Sequence, residues 1–351
     1  MDTEVLIVGQ GLSGSWLSWY LHARGISFKM IDEPSIPGAS SYAAGLINPV
    51  TGRRFVTTWM IEELMPFAVS AYQEMGKFLG EDLIQQNSVI DFLPGVQMFQ
   101  AFQHRMEKGS LYLKAGEQKE KFAEWFRYDF GWAVIEPCWL VAVEKLLHSW
   151  RQWLLNKNLL IESSFDLSLL QRAEAGIIYS GMRARYIVFC DGKSSANNPY
   201  FQKLPFALNK GEGLLVEIEG LPPQLTFKKG MSLIPYRENI FWLGSSYEWS
   251  FENDQPSEVF KKNAEDWLQN VLKIPFRIIK HFAAIRPATL ERRPFVGFHP
   301  LFPSVGILNG MGTKGCSLSP YFANQLVDHI SGAGAIDPLA DISRFKNVLS
   351  R

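Results

Sequence analysis

Three glycines near the start of the chain have a spacing that can bind a phosphate group. Gly9, Gly11 and Gly14 form a GxGxxG sequence directly after the apolar run at residues 4–8. In a strand–turn–helix unit, these positions allow a tight turn, close approach of the backbone to a pyrophosphate, and close packing of the helix on the strand. The N–H groups and the dipole at the start of the helix would attract the phosphates.

The residues after this motif complete a βαβ unit. Residues 15–24 predict a helix that Gly25 closes, and residues 27–31 predict a second strand that ends in two acidic residues. A carboxylate about 20 residues past the glycine motif can accept hydrogen bonds from a ribose. The unit does not by itself distinguish FAD from NAD, because both contain ADP. The predicted dinucleotide-binding residues are Gly9, Gly11, Leu12, Ser13, Gly14, Asp32 and Glu33.

The cysteines and histidines do not have the spacing of a metal site. Cys138, Cys190 and Cys316 are far apart and form no CxxC pair, so neither a disulfide framework nor zinc or dithiol chemistry is expected. The six histidines have no HxxxH or HExxH spacing. We expect His281, on a predicted strand close to Arg286, to be structural, and we predict no metal.

Composition narrows the class of protein. The 351 residues contain 35 Lys+Arg and 35 Asp+Glu, and 47% are hydrophobic. This composition excludes disorder, and the zero formal charge argues against a nucleic-acid partner. No signal peptide and no apolar run of about 20 residues is recognisable, so we expect a cytoplasmic protein without a membrane span. The sequence does not indicate an oligomeric state.

Hydrophobic patterns predict further elements in the rest of the chain. Helices are predicted near residues 59–79 and 96–107. Short strands broken by Pro, Gly and Asn predict an antiparallel sheet inserted into an α/β frame. The strands with this pattern are predicted at 213–220, 231–235, 240–246 and 278–286, and further strands are predicted at 159–165, 176–180 and 185–190.

Four stretches, in order along the chain, resemble a known family. They are SSYAAGLINP at 40–49, GWAVIEP at 131–137 with a predicted helix over 140–155, RYIVFCDGKS at 185–194, and residues 285–297 continued by 310–315 and Pro320. On these stretches the chain is similar to the D-amino-acid oxidase superfamily of flavin-dependent amine oxidoreductases, which includes glycine oxidase and sarcosine oxidase. The resemblance implies an α/β fold with a Rossmann-type FAD-binding domain, glutathione-reductase-like, and an inserted antiparallel-sheet substrate domain. We predict FAD-domain segments 1–60, 136–205 and 287–351, and substrate-domain segments 61–135 and 206–286.

The resemblance also implies roles for individual residues. Arg286 would bind a substrate carboxylate, for which the planar guanidinium is suited. Lys314 would contact substrate carboxylate or add charge near the flavin, at the start of a helix predicted from about residue 317 to 330. Asp191 also has a turn-capping interpretation, and Arg53-Arg54 could offer positive charge to substrate. The implied flavin-binding residues are Ser40, Ser41, Ala44, Gly45, Asp191, Gly192, Gly312, Thr313, Lys314 and Gly315.

Two positions depart from the family pattern. Glycine oxidase has a tyrosine where this chain has Ser232, and either Tyr236 or Tyr247 could replace it. The cysteine that attaches flavin covalently in sarcosine oxidase is absent, because Pro287 and Ala288 follow Arg286. The resemblance therefore implies non-covalent FAD.

The resemblance implies that this enzyme oxidises the C–N bond of an amino acid or secondary amine by hydride transfer to flavin N5. Three alternatives remain open at this point. They are a 2-hydroxy-acid dehydrogenase, a relative of the flavin domain that modifies the tRNA wobble uridine, and a flavin-binding protein without catalysis.

Acid precipitation should release all of the bound FAD into the supernatant, because Pro287 and Ala288 stand where a covalent thiol would follow Arg286. Absorption spectra of pellet and supernatant give the answer. Flavin that stays with the pellet would show a covalent link.

Gly11→Val should abolish flavin binding, since a side chain there would take the position of the pyrophosphate.

Overall fold

The computed structural model describes residues 2–33, 35 and 38–351, which form nineteen strands and seven α-helices. The helices are α1 (Leu12–Ala23), α2 (Ile61–Leu79), α3 (Val96–Glu107), α4 (Val143–Asn156), α5 (Glu258–Val271), α6 (Gly315–Ile330) and α7 (Lys346–Leu349). The strands are β1 (Thr3–Val8), β2 (Phe28–Asp32), β3 (Leu46–Ile47), β4 (Val50–Thr51), β5 (Val56–Thr57), β6 (Ile84–Phe92), β7 (Leu113–Ala115), β8 (Trp132–Val141), β9 (Leu160–Glu162), β10 (Leu170–Ala173), β11 (Gly176–Tyr179), β12 (Met182–Phe189), β13 (Asn209–Glu217), β14 (Leu225–Lys229), β15 (Met231–Arg237), β16 (Ile240–Gly244), β17 (Arg277–Arg286), β18 (Phe295–His299) and β19 (Phe302–Asn309).

The first sheet has a parallel centre. β1 lies between β12 and β2, with β9 beyond β2 and β19 beside β12, and all of these pairs are parallel. β10, β11 and β18 add antiparallel partners. β1 is buried along nearly all its length, as expected for a central parallel strand with helices on its faces. In a parallel sheet of this kind, ligands bind at the carboxyl ends of the strands.

The second sheet has nine strands and is mainly antiparallel. Its order is β17-β13-β16-β15-β14-β6-β8-β3, with β7 also on β8, and the β14–β6 pair is parallel. One face packs on α5 through apolar residues such as Leu214, Val216 and Phe241. The opposite face carries Phe282, Trp242 and Arg286, and we call it the Arg286 face.

The structure confirms the predicted class of fold, with corrections at element ends. The helix predicted from residue 140 begins at Val143, because residues 140–141 are the end of β8. α1 and α6 begin earlier than predicted, at Leu12 and Gly315, and β9 ends at Glu162 rather than at 165. β6 was not predicted. The helix predicted at 96–107 is α3, and α5 is capped by Ser257, whose Oγ accepts from the Phe260 N–H.

The predicted domain boundaries remain a prediction. The boundary at residue 136 falls inside β8, all of which belongs to the second sheet. β8 pairs with β6 on both sides of that boundary, with a register shift between Asn87 and Val89 opposite residues 136–137. Among the described residues, no helix is both long and apolar enough to cross a membrane.

A buried polar cluster ties α5 to the second sheet on the face away from Arg286. The Glu212 side chain is fully buried and accepts hydrogen bonds from Ser257 N and Ser257 Oγ, both at 2.7 Å. His281 Nε2 lies 2.8 Å away, and the buried Lys210 ammonium lies 3.2 Å away. These partners hold the pKa of Glu212 below its ordinary value although burial alone would raise it. Glu212 is therefore a buried, fully partnered carboxylate.

Glu212→Gln should lower the free energy of unfolding by about 3–5 kcal/mol, because the buried Lys210 would lose its nearer carboxylate and keep only Glu248, 4.0 Å away. Urea denaturation of the flavin-loaded protein measures the change. Glu258→Gln on the exposed first turn of α5 is the matched control and should leave the midpoint unchanged. Equal midpoints for Glu212→Gln and the control would show that the cluster adds no stability.

Candidate functional site

The glycine motif lies at the carboxyl end of β1, against the end of β12. Gly9 has φ of 98°, and a Cβ on it would come 2.7 Å from Cys190 O. A Cβ on Gly14 would come 1.9 Å from Gly9 O. At Gly11, the first contact of a Cβ would be the Ser40 hydroxyl at 3.1 Å. Gly9 and Gly14 therefore allow close packing of backbone on backbone. Gly11 instead faces the side chain of Ser40, which a bound ligand could displace.

The N-terminus of α1 offers free hydrogen-bond donors. Ser40 Oγ accepts from the Leu12 N–H at 3.1 Å. The N-cap residue is Gly11, which has no side chain to accept a hydrogen bond from the helix. Among the described residues, the N–H groups of Ser13 and Gly14 have no acceptor. Two unsatisfied donors at a helix start fit a pyrophosphate. Ser41, beside Ser40, is exposed.

The two predicted acidic residues differ in position. Asp32 Oδ1 accepts from the Gln10 N–H at 2.8 Å, so its carboxylate lies against the glycine loop. Its Oδ2 is bound by Arg151 of α4 at 2.6 Å, an interaction that the sequence did not reveal. Glu33 instead accepts from Ser35 and Ser164, which lower its pKa. Of the two carboxylates, that of Asp32 is therefore the one that lies against the glycine loop.

The segment 39–46 connects the two sheets. A Cβ on Gly45 would come 2.1 Å from Val141 O, so the glycine lets this segment pack directly on β8. Ala44, beside it, packs against the apolar cluster formed by Leu140, Ile234, Trp242 and Phe282. The Tyr42 ring stacks on Phe282, with centroids 4.9 Å apart and planes 7° apart. The Trp242 Nε1–H donates to Tyr42 O at 3.0 Å. This segment therefore brings the carboxyl edge of the first sheet close to the Arg286 face.

Asp191 and Gly192 form the turn after β12. Ser195 donates a hydrogen bond to Asp191, and desolvation raises the pKa of Asp191 to about 6. Asn309 Nδ2 donates to Gly192 O at 2.9 Å, which joins this turn to the end of β19. The Asp191 Cα would lie 3.0 Å from a Cβ on Gly9. Asp191 and Gly192 therefore lie in the turn that packs against the glycine loop.

The start of α6 meets the start of α1. A Cβ on Gly315 would come 3.2 Å from Leu12 Cδ1. Gly312 has φ of 56°, which turns the chain into the helix, and Thr313 is exposed. Among the described residues, the N–H groups of Gly315 and Cys316 have no acceptor. Two helix N-termini with free donors therefore lie side by side.

Lys314 is a desolvated cation beside this second helix start. Its Nζ donates to Thr58 Oγ1 at 3.3 Å. In the part of the chain that the structure describes, no carboxylate lies within 4.0 Å of the ammonium. Burial lowers the pKa of Lys314 to about 8. An anionic ligand or an electron-rich ring would stabilise this charge.

Arg286 ends β17 and lies flat on the second sheet. Its Nη1 donates to Asn209 Oδ1 at 2.8 Å and to Ser246 O at 3.1 Å. The guanidinium carbon lies 4.9 Å from the centroid of the Tyr247 ring. No carboxylate of the described chain is paired with Arg286, and desolvation lowers its pKa. The guanidinium therefore retains N–H donors for an external carboxylate.

Three glycines of the second sheet make room for the side chains that line this face. A Cβ on Gly211 would come 1.8 Å from Arg286 Nη2. A Cβ on Gly213 would come 2.8 Å from the Phe282 ring, and one on Gly244 would come 2.6 Å from the Trp242 ring. These three glycines were not predicted as site residues, because they come together only through the pairing of β13 with β16 and β17.

The remaining candidates lie in distinct places. Ser232 is on the Arg286 face, between Gly244 and Lys228 in the strand register. The Tyr236 hydroxyl donates to Glu144 of α4, and burial together with this hydrogen bond raises the pKa of Tyr236 to about 12. Tyr247, in contrast, stands beside Arg286 and is exposed. Of the two tyrosines, Tyr247 is the one placed at the arginine. In the described residues, no cluster of three or more His, Cys, Asp or Glu is placed to hold a metal.

Comparison with known proteins identifies relatives of this arrangement. Residues 4–329 match the family model described as FAD dependent oxidoreductase. A glycine oxidase of Pseudomonas aeruginosa is 27% identical over 148 residues, which cover 41% of this chain and 39% of that protein. The matched segment thus spans well under half of that relative.

Solved structures share the fold over nearly the whole chain. Glycine oxidase from Geobacillus kaustophilus has a TM-score of 0.77 at 18% identity, covering 98% of this chain and 97% of that one. Glycine oxidase from Bacillus cereus has a TM-score of 0.79 at 17% identity, covering 99% of each. Iminodiacetate oxidase from Chelativorans sp. has a TM-score of 0.75 at 18% identity, covering 97% and 98%.

Lys314→Met should weaken sulfite binding to the flavin-loaded protein. Sulfite adds to flavin N5 and leaves the ring anionic, and a nearby ammonium stabilises that charge. A lysine with a pKa of about 8 is charged below that pH and neutral above it. Sulfite affinity should therefore fall as the pH rises through about 8 in the native protein, and this break should be absent in Lys314→Met.

Spectroscopic titration with sulfite at several pH values measures this effect. Lys314→Arg is the matched control, since arginine keeps its charge at every pH tested and should preserve affinity without the break. The same profile in Lys314→Met as in the native protein would place Lys314 away from the flavin.

Proposed function

This chain belongs to the FAD dependent oxidoreductase family, and we propose that it oxidises the C–N bond of an amino acid or secondary amine. The observation that carries the substrate class is Arg286. This desolvated guanidinium has no carboxylate partner in the described chain. It lies on the Arg286 face, which segment 39–46 joins to the first sheet that carries the glycine loop. A cation placed in this way is suited to the carboxylate of an amino acid.

The residues present fit FAD. The free N–H groups of Ser13 and Gly14 would bind the pyrophosphate, and Asp32 would bind the ribose. The start of α6, next to the start of α1, would lie at the electron-rich end of the flavin ring. Pro287 and Ala288 follow Arg286, which supports non-covalent binding. When bound, the cofactor supplies the capacity to accept two electrons in the form of a hydride, which side chains lack.

The protein's own part in the reaction would be to bind, orient and shield. Arg286 would hold the substrate carboxylate through two parallel N–H···O bonds and so fix the α-carbon. Tyr247 stacks against the guanidinium and would border the bound substrate. Phe282, Trp242 and Tyr42 form an apolar wall that would exclude water. No side chain is required to move a proton at the α-carbon if the hydrogen leaves as hydride.

A 2-hydroxy-acid dehydrogenase is the second candidate, because Arg286 would bind that carboxylate equally well. Anaerobic reduction of the bound flavin by D- and L-amino acids, N-methyl amino acids and 2-hydroxy acids separates the two. Bleaching of the flavin by amines alone is the expected result. Bleaching by hydroxy acids alone would replace the proposed reaction, and no bleaching by any compound would indicate a flavin-binding protein without this catalysis.

Arg286→Ala should leave flavin bound and raise KM for the active substrate about 10- to 150-fold, since a charged hydrogen-bonded pair contributes roughly 1.5–3 kcal/mol. Arg286→Lys should recover only part of this, because a point charge does not reproduce the fork. Loss of flavin or of folding in Arg286→Ala would show a structural role instead.

Gly211→Ala tests the same contact without removing the arginine. The new methyl group would displace the guanidinium, so KM should rise while flavin content stays unchanged. Gly95→Ala is the matched control, because its Cβ would meet no atom within 4 Å. Equal KM values in the two variants would show that the flat position of Arg286 is not needed.

A further inference from the structure

A short hairpin follows the segment that joins the two sheets, and it carries unpaired positive charge. β4 and β5 pair through Val50 with Thr57 and Thr51 with Val56. At the turn, Arg53 and Arg54 are exposed. Arg105 of α3 joins them, because its Nε–H donates to Arg54 O at 3.2 Å. We call Arg53, Arg54 and Arg105 the arginine rim.

The hairpin is fixed in place rather than loosely attached. Phe55 and Val50 are each 2% exposed and pack with Phe102 of α3 and with Ile135 and Cys138 of β8. Phe55 adopts φ of 50°, which is costly for a residue with a large side chain and persists only where packing imposes it. The position of the arginine rim is therefore set by the core beneath it.

The hairpin lies next to the desolvated lysine. Thr58, which follows β5 directly, accepts the hydrogen bond from Lys314 Nζ and donates to Asn48 O at 3.0 Å. The ring of the next residue, Trp59, has its centroid 4.0 Å from the guanidinium carbon of Arg293. Residues 48–59 thus run from the segment that joins the two sheets past Lys314, with the rim on their outer side.

The arginines of this region have no ion-pair partner in the described part of the chain. Among the described residues, none of Arg53, Arg54, Arg105 and Arg293 has a carboxylate within 4.0 Å. The next acidic residues along the chain are Glu62 and Glu63, on the first turn of α2, and Glu63 accepts from the Tyr321 hydroxyl. The whole chain has no formal net charge, so the excess of positive charge is local to this region.

We propose that the arginine rim steers anionic substrates toward the site, and that the substrate is an amine with two carboxylates and a net negative charge. This inference rests on the proposed function. A simple amino acid is a zwitterion with no net charge, so a positive rim gives it little acceleration. A dicarboxylic amine is attracted by the rim, and its two carboxylates match the two unpaired internal cations, Arg286 and Lys314.

Steering can be measured without knowing the substrate, because sulfite is an anion that reports on flavin N5. The probe is the second-order rate constant of sulfite addition to the flavin-loaded protein, by stopped flow, as a function of ionic strength. The rate constant for the native protein should fall as salt rises, since screening shortens the reach of the rim. The double variant Arg53→Gln/Arg54→Gln should be about 3- to 10-fold slower than native at low salt and equal to it at high salt.

A control variant removes the same charge elsewhere. Lys203 and Lys262 are exposed and carry no ion pair in the described chain, so Lys203→Gln/Lys262→Gln lowers the net charge equally. This control should keep the native rate and salt dependence. If the rim variant matches the control at every ionic strength, steering by the rim is wrong.

Substrate charge is tested separately. Both enantiomers of aspartate and glutamate, and iminodiacetate, are compared with alanine and sarcosine as reductants of the flavin. A dicarboxylic compound should give the highest kcat/KM, and that value should fall with salt in the native protein but much less in the rim variant. Faster reduction by alanine or sarcosine would overturn the dicarboxylic class while leaving amine oxidation intact. Absence of reduction by any amine would instead reject the proposed function on which the inference rests.

Discussion

The site depends on how closely β1 and α1 can meet. Because Gly14 has no side chain, the helix can lie directly on the carbonyl of Gly9, at a distance where a Cβ would stand 1.9 Å from the oxygen. This contact points the N-terminus of α1 along the carboxyl edge of the first sheet and leaves the Ser13 and Gly14 N–H groups without an acceptor in the described chain. The start of α6 then packs against Leu12, so that a second set of free donors lies beside the first.

The second sheet adds a positive charge to this edge from the other side. Arg286 could point away from the sheet, but the missing Cβ at Gly211 lets it lie flat, where Asn209 and Ser246 fix it. Desolvation of Arg286 and of Lys314 is unfavourable while neither has a carboxylate partner within the described residues. An anionic ligand at each of them would offset that cost. The protein therefore keeps two cations in a state that its substrate and cofactor, rather than its own side chains, would neutralise.

Local signals in the sequence predict the candidate-site residues that lie close together in the chain. The glycine spacing, the acid after β2 and the Arg286 motif each lie within a few residues, and the structure places Gly9, Asp32 and Gly315 along one edge. The parts that were missed depend on pairing between distant strands. The position of Gly211 under Arg286 depends on the register of β13 with β17, and the contact of Arg151 with Asp32 joins residues 119 positions apart. The late start of α4, at Val143 rather than at residue 140, has a similar cause, because pairing of β8 with β6 outweighs the helical pattern there.

The central claim is that a carboxylate on Arg286 and FAD on the glycine loop occupy one continuous site. A crystal structure of the flavin-loaded protein with a non-reactive carboxylate such as acetate tests it most directly. The account predicts the pyrophosphate on the Ser13 and Gly14 N–H groups, and both oxygens of the carboxylate on the Arg286 guanidinium, over the flavin ring. A flavin that approaches from another edge, or a carboxylate bound away from Arg286 while that residue keeps only its Asn209 and Ser246 contacts, would contradict it.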